Sequence, residues 1–88
     1  MHWFTDILLG LRSLGGEADL PDLYHWLELN RLGEFPLNWK SVVRASLQAY
    51  CSESKQYRAG NPDVFQRTGR GRWAIRRIDS SVSSDNYN

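Results

Sequence analysis

The chain has 88 residues, a net charge of +1, a single cysteine and four tryptophans. This length makes one small domain, the lone Cys51 excludes an internal disulfide and a Cys-x-x-Cys metal knuckle, and no apolar run reaches the roughly 20 residues of a membrane span. The first residues lack the basic flank of a signal peptide, so we expect a cytoplasmic protein in a reducing compartment, with no membrane partner.

Charge is distributed unevenly along the chain. Residues 1–37 carry two bases and six acids, a net charge of −4, whereas residues 38–78 carry nine bases and two acids, a net charge of +7. Such asymmetry is typical of a domain with one anion-binding face, so the near-neutral total does not argue against a nucleic-acid partner.

A first amphipathic helix is predicted across residues 3–14, where apolar residues recur at three- and four-residue steps. Gly15-Gly16 ends this helix, because glycine tolerates the left-handed backbone that follows a helix. A short extended piece is expected near Glu17-Ala18.

A second helix is predicted from Asp19, which caps its N-terminus in an acidic variant of a capping box with Asp22. Trp26 lies at the flank of the buried stripe, where it either covers the core edge or meets a partner. The loop that follows breaks the helical period and is expected to be pinned by Phe35 and Leu37. The buried stripe is expected to comprise Leu20, Leu23, Tyr24 and Leu27.

The third predicted helix spans residues 39–51, with Asn38 as its cap and an apolar face turned to the core. Its opposite face has no acid and presents Lys40, Ser41, Arg44 and Gln48. In the major groove of DNA, arginine pairs with guanine edges and glutamine with adenine edges, so this face is predicted to contact bases. A plain solvated helix face is the alternative. The buried face is expected to comprise Trp39, Val43, Ser46, Leu47 and Tyr50.

Residues 63–77 are predicted to form a β-hairpin with its turn at residues 69–71. Arg70 and Arg72 at a protruding tip suit a polyanion, because the guanidinium fork fits phosphate and the floor of a narrow minor groove. A solvated, solubilising turn is the alternative. The inward residues are expected to be Phe65, Trp73 and Ile75. Further phosphate candidates are Lys55, Arg58, Arg67, Arg76 and Arg77.

The order of these elements predicts an α+β, mainly helical fold. Three helices followed by a C-terminal two-stranded wing are the layout of a winged helix-turn-helix domain, here over residues 1–78. The third helix is then the recognition helix. The polar residues 79–88 are predicted to form a disordered tail.

Seven parts of the chain form a pattern that spans most of the predicted domain. They are Leu14–Leu20, Tyr24, Trp39–Arg44, Leu47-Gln48, Cys51–Lys55, Phe65 and Gly69–Ile75. Together they resemble the winged-helix domains attached to bacterial and phage restriction endonucleases and the related HARE-type domains of some chromatin proteins. The resemblance covers about residues 7–76, almost the whole predicted domain. It implies a DNA-binding or modification-sensing appendage linked to restriction or phage defence.

These observations favour a non-catalytic module that binds double-stranded DNA. The chain has no Gly-x-Ser-x-Gly elbow and no glycine-rich phosphate loop, and His2, His25 and Cys51 are too scattered to bind zinc, so no enzyme, cofactor or small-molecule substrate is expected. The alternative is a protein-interaction module that forms a homodimer or docks a partner through its acidic first two helices.

Overall fold

The computed structural model describes residues 3–76. Its elements in chain order are α1 (Trp3–Ser13), β1 (Glu17–Asp19), α2 (Leu20–Asn30), α3 (Trp39–Ala49), β2 (Phe65–Gly69) and β3 (Arg72–Ile75). The predicted α+β class with three helices is therefore confirmed. Arg77 and the tail predicted at residues 79–88 lie outside the described residues.

The strands form one antiparallel sheet in the order β1-β3-β2. The prediction of a two-stranded ribbon is wrong, because the extended piece at residues 17–19 is a third strand that places Ala18 opposite Trp73. Pairing continues beyond β1, where the Leu20 N–H donates to the carbonyl of Gly71 at 2.8 Å. The hairpin is consequently fastened to the junction between α1 and α2.

The end of α1 forms as the paired glycines predict. The N–H of Gly16 donates to the carbonyl of Leu11 at 2.7 Å, and the N–H of Gly15 donates to that of Arg12 at 3.2 Å, which is the hydrogen-bond pattern of a Schellman motif. Both glycines have φ near +95°, a conformation that side chains with a Cβ rarely adopt.

Three predicted details of the other helix ends are wrong. Asp19 and Asn38 occupy the N-cap positions of α2 and α3, but neither side chain makes a cap hydrogen bond. The Asp19 carboxylate instead accepts a hydrogen bond from Nη1 of Arg72 at 2.9 Å. The third helix ends at Ala49, two residues before the predicted end at Cys51.

The core lies between the three helices and one face of the sheet. Trp73 is 5% exposed and Phe65 is fully buried, as predicted, whereas Ile75 is only partly buried. The fully buried large side chains are Ile7, Leu11, Leu23, Leu27, Val43, Leu47 and Phe65.

Helices α1 and α2 approach closely at Gly10. A Cβ on this glycine would lie 2.9 Å from Cδ1 of Leu23 and 2.9 Å from Cε3 of Trp26, too close for either contact to persist. Trp26 is half-buried against the core. Its predicted role of covering the core edge is therefore confirmed, while contact with a partner stays a prediction.

A buried ion pair anchors the loop between α2 and α3. Nε of Arg31 donates to Oδ2 of Asp6 at 2.9 Å, and the two side chains are only 8% and 4% exposed. The guanidinium also lies 3.6 Å from the ring centroid of Trp3. Phe35 packs edge-on against Trp3, as an anchor should, but Leu37 is fully exposed, so its predicted anchoring role is wrong.

The segment between α3 and β2 is held by the carboxylate of Asp63. Its oxygens accept hydrogen bonds from the backbone N–H and the hydroxyl of Ser52, at 2.9 and 2.8 Å, and it forms an ion pair with Arg76. The bond from the Ser52 N–H is the main cause that lowers the pKa of Asp63.

We expect Asp63→Asn to weaken the dependence of stability on acid pH. A carboxylate with a lowered pKa in the folded state stabilises the fold above its unfolded-state pKa of about 4, and that stabilisation is lost as the pH falls through the folded-state value. The variant should therefore melt below the parent at pH 7, with a gap that narrows toward pH 2–3. Melting temperatures across this range measure it. Asp22→Asn, on the exposed side of α2, is the matched control, and a constant gap for Asp63→Asn would contradict the assignment.

Candidate nucleic-acid interface

Three of the four residues predicted on the polar face of α3 are exposed. Val43 and Leu47 are fully buried, which turns Lys40, Ser41 and Arg44 outward, while Gln48 is half-buried. No acid lies in the first turn of the helix, and the first acid after it is Glu53. A row of donors without carboxylates is thus presented on one side of the helix.

An open groove of about 440 Å³ lies between α3, residues 51–56 and the β2–β3 hairpin; we call it the α3–hairpin groove. The buried Cys51 and Trp73 also line it. The acid in its lining, Glu53, has Oε1 3.3 Å from Nη2 of Arg76 and is thereby partly neutralised. The predicted contact residues that the groove brings together are Arg44, Gln48, Lys55 and Arg67.

The hairpin tip presents one free cation. Arg70 is exposed at the two-residue turn, beside Gly71 with its φ of +64°, and its side chain makes no hydrogen bond or ion pair within residues 3–76. Arg67, on β2, is also exposed, and its Nε donates only to the carbonyl of Gly69 at 3.3 Å. Both can therefore meet an anion without breaking an internal ion pair.

The prediction that both Arg70 and Arg72 are available to an anion at the hairpin tip is wrong for Arg72. Its Nε lies 2.8 Å from Oε2 of Glu17 and its Nη1 lies 2.9 Å from Oδ1 of Asp19, so its guanidinium joins β3 to β1. Hydrogen bonds from Thr68 and Arg72 lower the pKa of Glu17, and those to Asp19 and Glu17 raise the pKa of Arg72. The Arg72 side chain therefore stabilises the sheet and is not available to an anion without breaking these ion pairs.

Two other predicted phosphate contacts, Arg76 and Arg58, do not line the α3–hairpin groove. Arg76 is paired with Asp63 and Glu53, and its Nη2 donates to the carbonyl of Phe65 at 3.2 Å, so it braces the fold. Arg58 is exposed but lines a separate depression on the other flank of α3, with Val42 and Ala45.

Tyr24 belongs to the candidate site, although the sequence predicts it in the buried stripe of the second helix. Its ring is half-buried and packs edge-on against Trp39, but its hydroxyl accepts a hydrogen bond from Nη1 of Arg44 at 3.2 Å. The signal available in the sequence was the residue type, because a tyrosine at a core edge usually directs its hydroxyl to a polar partner.

Within residues 3–76, no three His, Cys, Asp or Glu side chains are grouped so that they could hold a metal ion. None of the helices in that range has the length and apolarity needed to cross a bilayer. Comparisons of the chain with protein-family models, with curated proteins and with solved structures find no match.

Proposed function

We propose that the chain is a non-catalytic module that binds double-stranded DNA. In this proposal it is a winged helix-turn-helix domain, with α3 in the major groove and the β2–β3 hairpin as a wing on the phosphate backbone or the adjacent minor groove. The order of the elements supports that assignment, because two helices are followed by a helix with a polar face and then by a hairpin.

One observation carries the proposal: the basic residues between positions 38 and 76 divide into two sets. Arg72 and Arg76 are paired with carboxylates inside the fold. The others pair with no carboxylate of residues 3–76 and lie exposed on α3, on the segment after it and on the hairpin. Unneutralised cations repel one another, so a polyanion is the partner that they suit. We call these six residues the free cations, in the sense that no carboxylate of residues 3–76 pairs with them: Lys40, Arg44, Lys55, Arg58, Arg67 and Arg70.

The resemblance to domains attached to restriction endonucleases also supports DNA as the partner. In that family the domain is an appendage of a nuclease, and by analogy we propose that this module senses a DNA sequence or a base modification. Duplex binding by the isolated chain is the step on which any such role depends.

The first test is binding of unrelated fluorescent duplexes, measured by anisotropy at two salt concentrations. Some 4–6 phosphate contacts should give micromolar or weaker affinity and a log–log salt slope of about −4 to −5, because each contact releases roughly 0.9 counterion. A folded chain that binds no duplex at low salt would overturn the proposal.

Two double variants are expected to separate the roles of helix and hairpin. Arg44→Ala/Gln48→Ala removes groups that suit base edges, so it should cost about 1–3 kcal/mol on a preferred duplex and chiefly relax discrimination among sequences. Arg67→Ala/Arg70→Ala removes two phosphate contacts, so it should weaken all duplexes alike and flatten the salt slope by about two.

Both variants are titrated with a preferred and a random duplex. The matched control is Arg12→Ala, which removes an exposed cation from the last turn of α1, outside the groove lining. Equal and uniform losses from both double variants would mean that α3 reads no bases. Unchanged affinity in both would place the DNA surface elsewhere.

A second candidate, docking of a protein partner or a second copy, is favoured by three exposed leucines. Leu29, Leu32 and Leu37 are 71%, 79% and 107% exposed around the end of α2 and the loop after it. Glu28 and Glu34 are exposed beside them, which suits a partner that is basic and apolar. Failure of duplex binding by the folded chain would turn attention to this surface.

A further inference from the structure

The guanidinium of Arg44 is held at both of its ends by neutral hydroxyl groups. Nη1 donates to the hydroxyl of Tyr24 at 3.2 Å, and Nη2 donates to Oγ of Ser41 at 3.1 Å. Neither partner is a carboxylate, so the side chain is oriented while its positive charge stays available. Among the free cations defined above, Arg44 is the one whose guanidinium is held by two side chains.

The two hydroxyls come from different elements, and the one on α2 belongs to a ring that is itself packed against the core. Ser41 lies one turn before Arg44 on α3, while Tyr24 is on α2 and is held by its edge-on contact with Trp39, whose ring centroid is 5.4 Å away. An exposed arginine normally loses much rotamer freedom when it binds. Here the fold has already restricted that freedom, which lowers the entropic cost of contact.

A guanidinium held in one orientation, as that of Arg44 is, suits a pair of acceptors at fixed positions better than it suits a phosphate. A phosphate accepts from many directions, and the unsupported Arg70 at the hairpin tip can meet that demand. The O6 and N7 atoms of guanine lie in one plane and require a guanidinium fork in a set position. Arginine has five N–H donors, so three remain for a base after the two hydroxyls are satisfied.

We propose that Arg44 reads a guanine in the major groove, and that Tyr24 is the positioning residue that sets this preference. The inference rests on the proposed DNA-binding function and adds the base that is recognised and the side chain on α2 that determines the recognition. Tyr24 touches no base in this arrangement; it acts through the orientation of Arg44.

The test uses the full chain and a pool of duplexes with a randomised 12-base-pair core. Bound duplexes are sequenced for the parent, Tyr24→Phe, Arg44→Ala and the hairpin control Arg70→Ala. Tyr24→Phe removes the hydroxyl and keeps the ring that packs on Trp39, so its melting temperature should match the parent's. Each enriched guanine is then replaced by 7-deazaguanine, which lacks the N7 acceptor, or by another base.

The parent is expected to enrich a guanine whose replacement by another base costs roughly 5- to 150-fold in affinity, with a smaller loss for 7-deazaguanine. Arg44→Ala should lose this preference, Tyr24→Phe should reduce it by roughly 2- to 12-fold at an unchanged melting temperature, and Arg70→Ala should keep it. Duplex binding with no guanine that depends on Arg44, or a Tyr24→Phe variant that discriminates as the parent does, would overturn this inference alone. A folded parent that binds no duplex would overturn the proposed function as well.

Discussion

Replacement of Trp73 by alanine is expected to unfold the domain or to lower its free energy of unfolding by about 3–5 kcal/mol. Trp73 is 5% exposed and lies on the central strand, opposite Ala18 on one side and Arg67 on the other. Its side chain belongs to the core that joins the sheet to the helices. Because a small domain has a total stability of only some 5–15 kcal/mol, the loss should remove much of it.

Urea unfolding followed by far-ultraviolet circular dichroism measures the effect without relying on tryptophan emission. The matched control is Arg67→Ala, because Arg67 is the cross-strand neighbour of Trp73 but is exposed, so its loss should change stability by no more than about 0.5 kcal/mol. A Trp73→Ala variant that melts within a few degrees of the parent would show that the core does not depend on this ring.

Arg31→Met is expected to lower the free energy of unfolding by about 3–5 kcal/mol, because it leaves the carboxylate of Asp6 buried without its cation. The guanidinium also lies over the ring of Trp3 and donates to the carbonyl of Glu34 at 2.9 Å, so its loss releases the loop after α2 as well. Thermal and urea unfolding measure the free energy of unfolding of this variant. The control is Arg12→Met, because Arg12 is an exposed arginine of α1.

The double variant Asp6→Leu/Arg31→Met tests the cause of that loss. If the cost arises from one uncompensated buried charge, removal of both charges should restore most of the stability, since apolar pairs often replace buried ion pairs at little cost. A double variant no more stable than Arg31→Met would show instead that the loss comes from the other contacts of Arg31, those with the ring of Trp3 and the carbonyl of Glu34.

The sequence predicts the parts of this fold that depend on neighbouring residues. The end of α1 follows from the left-handed backbone that Gly15 and Gly16 tolerate. The buried and exposed faces of α3 and the inward side of Trp73 follow from periodicity within one element. For the candidate site, the same periodicity predicts exposure of Lys40, Ser41 and Arg44.

What could not be predicted depends on residues far apart in the chain. Glu17 and Asp19 face Arg72 across more than fifty residues, and no local window shows which acid will meet which base. For the same reason Arg72 was expected to be free, and the pair of Asp6 with Arg31 was missed. Arg58 follows α3 closely in sequence but lies on its other flank, because the chain turns between them.

The strand order has a consequence for how the chain folds. The central strand, β3, is the last of the three in the sequence, so neither β1 nor β2 has a neighbour to pair with until it is in place. Its pairing with β1 closes a loop of more than fifty residues, and the entropy of that closure is lost before the contacts between them are gained. We therefore expect formation of the complete sheet to be late and cooperative, and slower than formation of the helices that it joins.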